Sequence, residues 1–175
     1  FGLRLSRVLD HSDGDLAGMT TWRLTATLNH PNDMLSSAYG NDELPLQVSS
    51  TAPFYQNPFG GTFASAVNPL LLTSFPELAY DTWVTVGIEG TANSSAGEGD
   101  IQSAQSPGQN WVNGFDTGGE ILMNDPTGGA WFVTNVYNNG IAGDDLEVLL
   151  GQFTTSGELT GILNYQVFLE GDGAN

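Results

Sequence analysis

The chain has 175 residues, 39% of them hydrophobic, which suits one domain of ordinary size with a buried core. Twenty acidic residues face three arginines, and the formal net charge of −17 argues against nucleic acids and anionic membranes as partners. Cysteine is absent, which excludes disulfides and thiolate metal sites, and no run approaches the roughly 20 apolar residues of a transmembrane helix.

Alternating apolar and polar residues predict strands through the first half of the chain. Leu3, Leu5 and Leu9 mark one face of the first strand. The strands predicted here are residues 1–10, 19–28, 35–39, 44–50 and 81–89. Residues 53–76 are rich in proline and glycine and are predicted to be irregular, with a buried run at 68–76.

The second half opens with small and polar residues at 90–108, which are typical of a long exposed loop. Short strands are predicted at 111–115 and 119–123, and a stronger one at 130–137. Two runs at 146–153 and 158–170 flank a Thr/Ser/Gly connection, which predicts a β-hairpin.

Eight to ten short strands separated by turns favour an all-β fold. We therefore predict a single domain over residues 1–175, an antiparallel β-sandwich of jelly-roll type. No internal repeat or linker is visible in the sequence.

Catalysis is not favoured by the residue types present. A Ser-His-acid triad needs a histidine, and His11 and His30 both lie in polar turns, with no Gly-x-Ser-x-Gly motif in the chain. A glycosidase would need two facing carboxylates, but acids such as Glu89, Glu147 and Glu158 are more typical of a solvent-facing strand surface. We predict that the protein is not an enzyme and has no catalytic residue.

Two acidic turns are candidate calcium sites, because they place several oxygen ligands beside glycines. Asp10, Asp13 and Asp15 form the first, and Asp144 and Asp145 form the second. Neither turn matches the helix–loop–helix calcium motif. Acidic turns without metal are common, so solvation is the alternative, and calcium is the one cofactor that the sequence suggests.

An aromatic loop is the candidate carbohydrate site. The rings of Phe54, Tyr55 and Phe59 could stack on a sugar ring, and the amide of Asn57 could form hydrogen bonds with it. The alternative is that these aromatic side chains plug one end of the sandwich. Asn93, in the sequon Asn-Ser-Ser of the predicted loop, is a candidate for N-glycosylation.

Several segments resemble an uncharacterised family of secreted, acidic, cysteine-poor β-modules found in large surface proteins of aquatic microbes. The segments that carry the resemblance are residues 19–22, 54–58, 80–87, 128–133, 140–145, 148–155 and 163–168. The resemblance implies secretion and a surface role, and it implies no catalytic residue.

Together these features predict an extracellular or cell-surface structural protein, a subunit of a fibre or matrix that self-associates through β-strand edges. Residues 1–10 are a candidate donor strand, with Leu3, Leu5 and Leu9 completing the fold of a neighbour. The alternative is a calcium-dependent carbohydrate-binding or adhesion module with glycans as partners. Because the chain begins at Phe1, we also expect it to be processed from a longer product.

Overall fold

The computed structural model describes residues 1–173 and is an all-β fold. Within this part of the chain, eleven strands and one short α-helix are present, connected by loops and single 3₁₀ turns. The strands are β1 (Gly2–Asp10), β2 (Thr20–Thr27), β3 (Met34–Gly40), β4 (Leu46–Ser50), β5 (Trp83–Val84), β6 (Gln102–Ala104), β7 (Ile121–Met123), β8 (Gly129–Phe132), β9 (Glu147–Thr155), β10 (Leu159–Ile162) and β11 (Asn164–Phe168), and the helix is α1 (Trp111–Asp116).

One layer of the fold is a four-stranded sheet in the order β1-β2-β9-β5. The ladder between β1 and β2 runs antiparallel from Gly2 opposite Thr27 to Asp10 opposite Thr20. β2 and β9 are central, and β1 is a long strand at the sheet edge. The opposite edge is β5, which has two residues.

The other layer consists of two sheets laid end to end, in the orders β11-β3-β8-β6 and β10-β4-β7. Leu163 alone separates β10 from β11, and these two strands pair in succession with β4 and β3. β7 and β8 pair with β4 and β3 in the same way on the other side. The three sheets therefore form two layers, as a β-sandwich requires. The predicted antiparallel β-sandwich is confirmed, and the jelly-roll assignment stays a prediction.

The core lies between these layers and is rich in aromatic side chains. Trp131, Phe115 and Phe153 are among its largest fully buried members. The indole N–H of Trp131 donates to the carbonyl of Thr85 at 2.9 Å, which satisfies the one polar atom of that ring. A smaller cluster lies beneath the irregular segment and contains Ala64, Val67, Leu78 and Trp83.

The predicted hairpin between the last two long runs is wrong in its pairing. Both runs form strands, but β9 pairs with β2 and β5, while β10 pairs with β4 in the other layer. The connection crosses between layers and is held by Thr51, whose hydroxyl accepts the N–H of Glu158 at 2.9 Å. β9 is almost entirely buried and lies between β2 and β5 in its own sheet, so it is not free to pair with β10.

The strand predicted at 111–115 is also wrong, because this segment is helix α1. Trp111 and Phe115 are four residues apart and both buried, which places them on one face of the helix. The side chain of Asn110 accepts the N–H of Asn113 at 3.1 Å and caps the first turn.

Two loop predictions need correction as well. The run at 68–76 is not buried: Leu70 is 84% exposed, in a 3₁₀ turn that the side chain of Asn68 caps. The segment 90–108 contains β6, and Ile101 beside that strand belongs to the core. Short strands such as β6 carry too few residues for a readable alternation.

Candidate functional site

The clearest surface feature of the sandwich is the open edge of β1. Within residues 1–173, β1 pairs with β2 alone, so the backbone groups of its other edge have no strand beside them. This strand also carries exposed apolar side chains, with exposures from 40% at Leu9 to 45% at Val8. The large apolar residues exposed in this segment are Phe1, Leu3, Leu5, Val8 and Leu9.

An apolar groove of about 190 Å³ opens between β1 and β10, where the edges of the two layers meet. Leu3 and Leu5 form one wall, and residues 159–163 form the other. Leu24 and Phe153 also line the groove. Near one end of β1, the hydroxyl of Tyr165 in β11 donates to the carbonyl of Gly2 at 3.4 Å, which ties the two edges together. The predicted assembly residues Leu3 and Leu5 thus share one groove.

Leu9 does not share that groove. The ladder shifts between Arg7 and Leu9, so Val8 is an extra residue on the β1 side. Leu3 and Leu5 lie opposite Ala26 and Leu24, but Leu9 lies opposite Thr21, which alternates with them on β2. Because a single bulge reverses the alternation, the prediction that Leu9 shares a face with Leu3 and Leu5 is wrong.

The positive charge of the chain is concentrated at this edge. All three arginines lie on β1 and β2, and each forms an ion pair: Arg4 with Glu147, Arg7 with Asp10, and Arg23 with Glu89. Residues 1–10 contain two arginines and one aspartate, a formal charge of +1, while the rest of the chain carries −18. The ion pairs are partly or largely exposed, so each contributes about 1 kcal/mol at most to stability.

The predicted carbohydrate loop divides into a buried part and an exposed part. Phe54 is 4% exposed, and its ring centroid lies 5.8 Å from that of Phe115 and 5.7 Å from that of Phe153. Phe54 therefore packs in the core and cannot stack on a sugar, as the alternative of a plug predicted. Phe59 is 46% exposed, with its ring centroid 4.1 Å from that of Phe75. Tyr55 is half-buried, and its hydroxyl accepts a hydrogen bond from the Asn57 amide at 2.9 Å.

Asp81, which the sequence analysis did not single out, anchors residues 57–61 of this loop through hydrogen bonds to their backbone. Its carboxylate is fully buried and accepts the N–H of Asn57 at 2.7 Å and that of Gly61 at 3.2 Å. Burial raises the pKa of Asp81 to about 6, although the backbone N–H groups of Asn57, Gly61 and Thr82 act in the opposite direction. Asp81 begins the predicted strand 81–89, and the loop that it anchors lies about 20 residues earlier, so no local sequence signal connects the two.

The two acidic turns lie apart, beside different clefts. Asp13 and Asp15 line one cleft with Glu77, whereas Asp145 lines another beside Glu147. Asp10 is engaged by Arg7 at 3.0 Å and by the hydroxyl of Thr20 at 2.9 Å.

The carboxylates of these turns do not converge on a common point. Across residues 1–173, no group of three or more His, Cys, Asp or Glu side chains is arranged to hold a metal ion. Asp144 is not brought into such a group either. Calcium binding at these turns stays a prediction.

Asn93 lies in an exposed turn, as its sequon predicts. Its side-chain oxygen accepts the N–H of Ser95 at 3.1 Å, and its own N–H donates to the Glu98 carboxylate at 2.7 Å. Asn93, Ser94 and Ser95 are all exposed. The amide is thus accessible, and its glycosylation stays a prediction.

Comparison with protein-family models, with curated proteins and with solved structures finds no match for this chain. The resemblance to secreted surface modules therefore stays a prediction. In the described part of the chain, α1 is the longest helix at six residues, and no helix is long and apolar enough to cross a membrane.

Proposed function

We propose that this protein is an extracellular structural subunit that assembles with copies of itself through the β1 side of the sandwich. The observation that carries the proposal is the unpaired nine-residue edge of β1 beside the apolar groove. An edge strand offers a row of free N–H and C=O groups, and an apolar groove gains free energy when it is covered.

The two lateral sides of the sandwich differ in what they offer a neighbour. On one side lie β1 and the row formed by β10 and β11, and both edges are long. On the other side β5 has two residues and β6 has three, which provide few ladder hydrogen bonds. Strand-mediated association is therefore favoured at the β1 side.

Charge governs when such assembly can occur. Copies that each carry −17 repel one another, and salt reduces this repulsion because the screening length falls to roughly 10 Å at 0.1 M and 3 Å at 1 M. The acidic, cysteine-free composition suits a protein exposed to salty water outside the cell. We therefore expect assembly to strengthen as salt rises.

Light scattering and electron microscopy of the full chain test the proposal. Wild-type protein, followed from 0.05 to 1 M NaCl at several concentrations, is expected to form large species and regular filaments as salt increases. A chain that stays monomeric under all these conditions would disprove the proposal.

Two variants locate the assembly surface. Removal of residues 1–10 is expected to abolish self-association, with circular dichroism to verify that the sheet persists. Leu70→Lys changes an exposed leucine in the irregular segment, away from β1, and is expected to leave assembly intact. If the truncated chain does not fold, adding the peptide of residues 1–10 in trans is expected to restore folding, and light scattering of that complex then shows whether assembly needs residues 1–10 within the chain.

A second candidate function, carbohydrate binding, is favoured by one observation. The exposed ring of Phe59, in the Asp81-anchored loop, packs on the partly buried ring of Phe75 and presents an aromatic face to solvent. Glycan-array binding that Phe59→Ala abolishes, with the fold intact, would support it. Absence of binding to any glycan would remove this candidate and leave the structural proposal untouched.

A further inference from the structure

β1 is the least embedded strand of its sheet. None of its nine residues is buried, whereas β2, β5 and β9 all contribute buried side chains. Its attachment consists mainly of the β2 ladder and the partial burial of Leu3 and Leu5, with the Arg4–Glu147 ion pair and the Tyr165–Gly2 hydrogen bond as exposed or part-buried polar contacts. Releasing β1 from β2 therefore disturbs the core less than releasing any other strand of this sheet.

The surface uncovered by such a release would be specific for β1. It would contain the free edge of β2 and the floor of the groove, including Leu24 and Phe153. The free edge of β2 needs a replacement strand, and the floor of the groove needs leucines at alternating positions on that strand. The segment of a second copy that fits them is that copy's own β1.

Charge favours the same occupant. Arg4 of β1 pairs with Glu147 of β9 within one chain, and the β1 of a second copy would offer the same arginine to the same carboxylate. The donated segment of residues 1–10 carries +1, and the rest of the accepting chain carries −18. Attraction between segment and acceptor thus opposes the general repulsion between copies.

The connection from β1 to β2 is long enough to act as a hinge. Residues 11–19 could extend to about 30 Å when unfolded. In the folded chain this connection is a compact turn, closed by the N–H of Gly18 to the carbonyl of His11 at 2.9 Å. Gly14 and Gly18 both adopt positive φ, so the turn depends on conformations that other residues rarely take.

We propose that copies of this chain assemble by exchanging β1, which leaves its own β2 and takes the same place in a second copy. This inference rests on the proposed self-association and specifies its mode. An open succession of exchanges would build a filament, and a reciprocal exchange would close a dimer. The unpaired outer edge of β1 remains an edge in either case.

The absence of cysteine allows a direct test with engineered cysteine pairs. Leu5 and Leu24 lie directly opposite each other, at a separation that suits a disulfide. Oxidised Leu5→Cys/Leu24→Cys protein locks β1 in its own sheet, and we expect it to stay monomeric under conditions where wild type assembles. Reduction of the same sample is expected to restore assembly.

Mixing single variants detects exchange between chains. Leu5→Cys protein mixed with Leu24→Cys protein, assembled and then oxidised, is expected to yield a disulfide-linked pair of chains. Ser49 and Thr160 provide the matched control, because they face each other across β4 and β10, with their hydroxyls 3.2 Å apart. Mixed Ser49→Cys and Thr160→Cys proteins should not cross-link, and the oxidised double variant should assemble normally.

The outcomes separate this inference from the proposed function. If wild type assembles and the locked variant assembles equally well, exchange is wrong and self-association stands. Cross-links between two Leu5→Cys chains, without Leu5–Leu24 cross-links, would indicate edge-to-edge addition and would also overturn exchange. If wild type never assembles, both the proposed function and the exchange fail.

Discussion

The carboxylate of Asp81 accepts the backbone N–H of Asn57 at 2.7 Å, across 24 residues of chain. The same carboxylate accepts the N–H of Gly61, so one buried acid fixes both ends of a short loop. The loop presents Phe59 to solvent. A charge held in this way, with no arginine beside it, makes the loop sensitive to pH.

Asp81 is expected to make the protein less stable as pH rises from about 4 to 7. Its pKa in the folded chain, about 6, exceeds the ordinary value of 3.8, so between these pH values the folded state holds a proton that the unfolded state has lost. The contribution is fully present below about pH 4 and is lost as pH rises through 6, with a size of about 3 kcal/mol. Urea denaturation at successive pH values measures it.

The comparison should be made against Asp81→Asn, which cannot titrate. The difference in free energy of unfolding between wild type and this variant should fall by about 3 kcal/mol from pH 4 to pH 7. Asp33 is common to both proteins and cancels. Burial raises the pKa of Asp33, but the N–H groups of Glu170, Asn29 and His30 outweigh it and lower the pKa overall. A difference that stays flat with pH would contradict the role of Asp81.

Gly60→Ala is expected to break the Asp81 anchor. An added Cβ would lie 1.7 Å from the Oδ2 atom of Asp81, and the buried carboxylate has little room to move. We expect a loss of about 1–3 kcal/mol in unfolding free energy, typical of overpacking. Gly108→Ala is the control, because the nearest atom to its added Cβ is the Ser106 hydroxyl at 3.7 Å. Equal stability of the two variants would refute the close approach.

Much of the fold was predictable from the sequence because it depends on local pattern. β2 alternates cleanly from Thr21 to Ala26, and both long final runs are strands, as their composition predicts. The pairing of those runs was not predictable. Whether β9 pairs with β10 or with β2 depends on contacts between residues more than 100 positions apart, such as Thr21 and Thr154.

The candidate sites were predictable only where exposure follows from local sequence. Asn93 lies in an open turn as expected. Phe54 and Phe59 are both phenylalanines of the same aromatic loop. Phe54 packs against Phe115 and is buried, whereas Phe59 is exposed, and the local sequence does not distinguish them. The face of Leu9 was predicted wrongly because the alternation of residues in the sequence does not reveal the one-residue bulge at Val8.

Helix α1 offers a test in which two substitutions act in opposite directions. Asn110→Ala removes the cap on Asn113 and should cost about 1 kcal/mol. Gly114→Ala should stabilise by about 0.5–1 kcal/mol, since alanine is the better helix former. No clash opposes the second change, because the nearest atom to an added Cβ is the Glu120 carbonyl oxygen at 4.0 Å. Urea denaturation measures both, and an Asn110→Ala variant as stable as wild type would argue against the capped helix.

Substitution of Phe54 and of Phe59 by alanine should lower the free energy of unfolding by very different amounts. Phe54→Ala removes a ring from between Phe115 and Phe153 and leaves a cavity in the core, so we expect a cost of about 3–5 kcal/mol. Phe59→Ala removes a half-exposed ring that packs on Phe75, and its cost should be about 1 kcal/mol or less. Both free energies come from urea denaturation at one pH. Similar costs would contradict the division of the loop into a core plug and a solvent-facing ring, and with it the argument that Phe59 rather than Phe54 is free to contact a ligand.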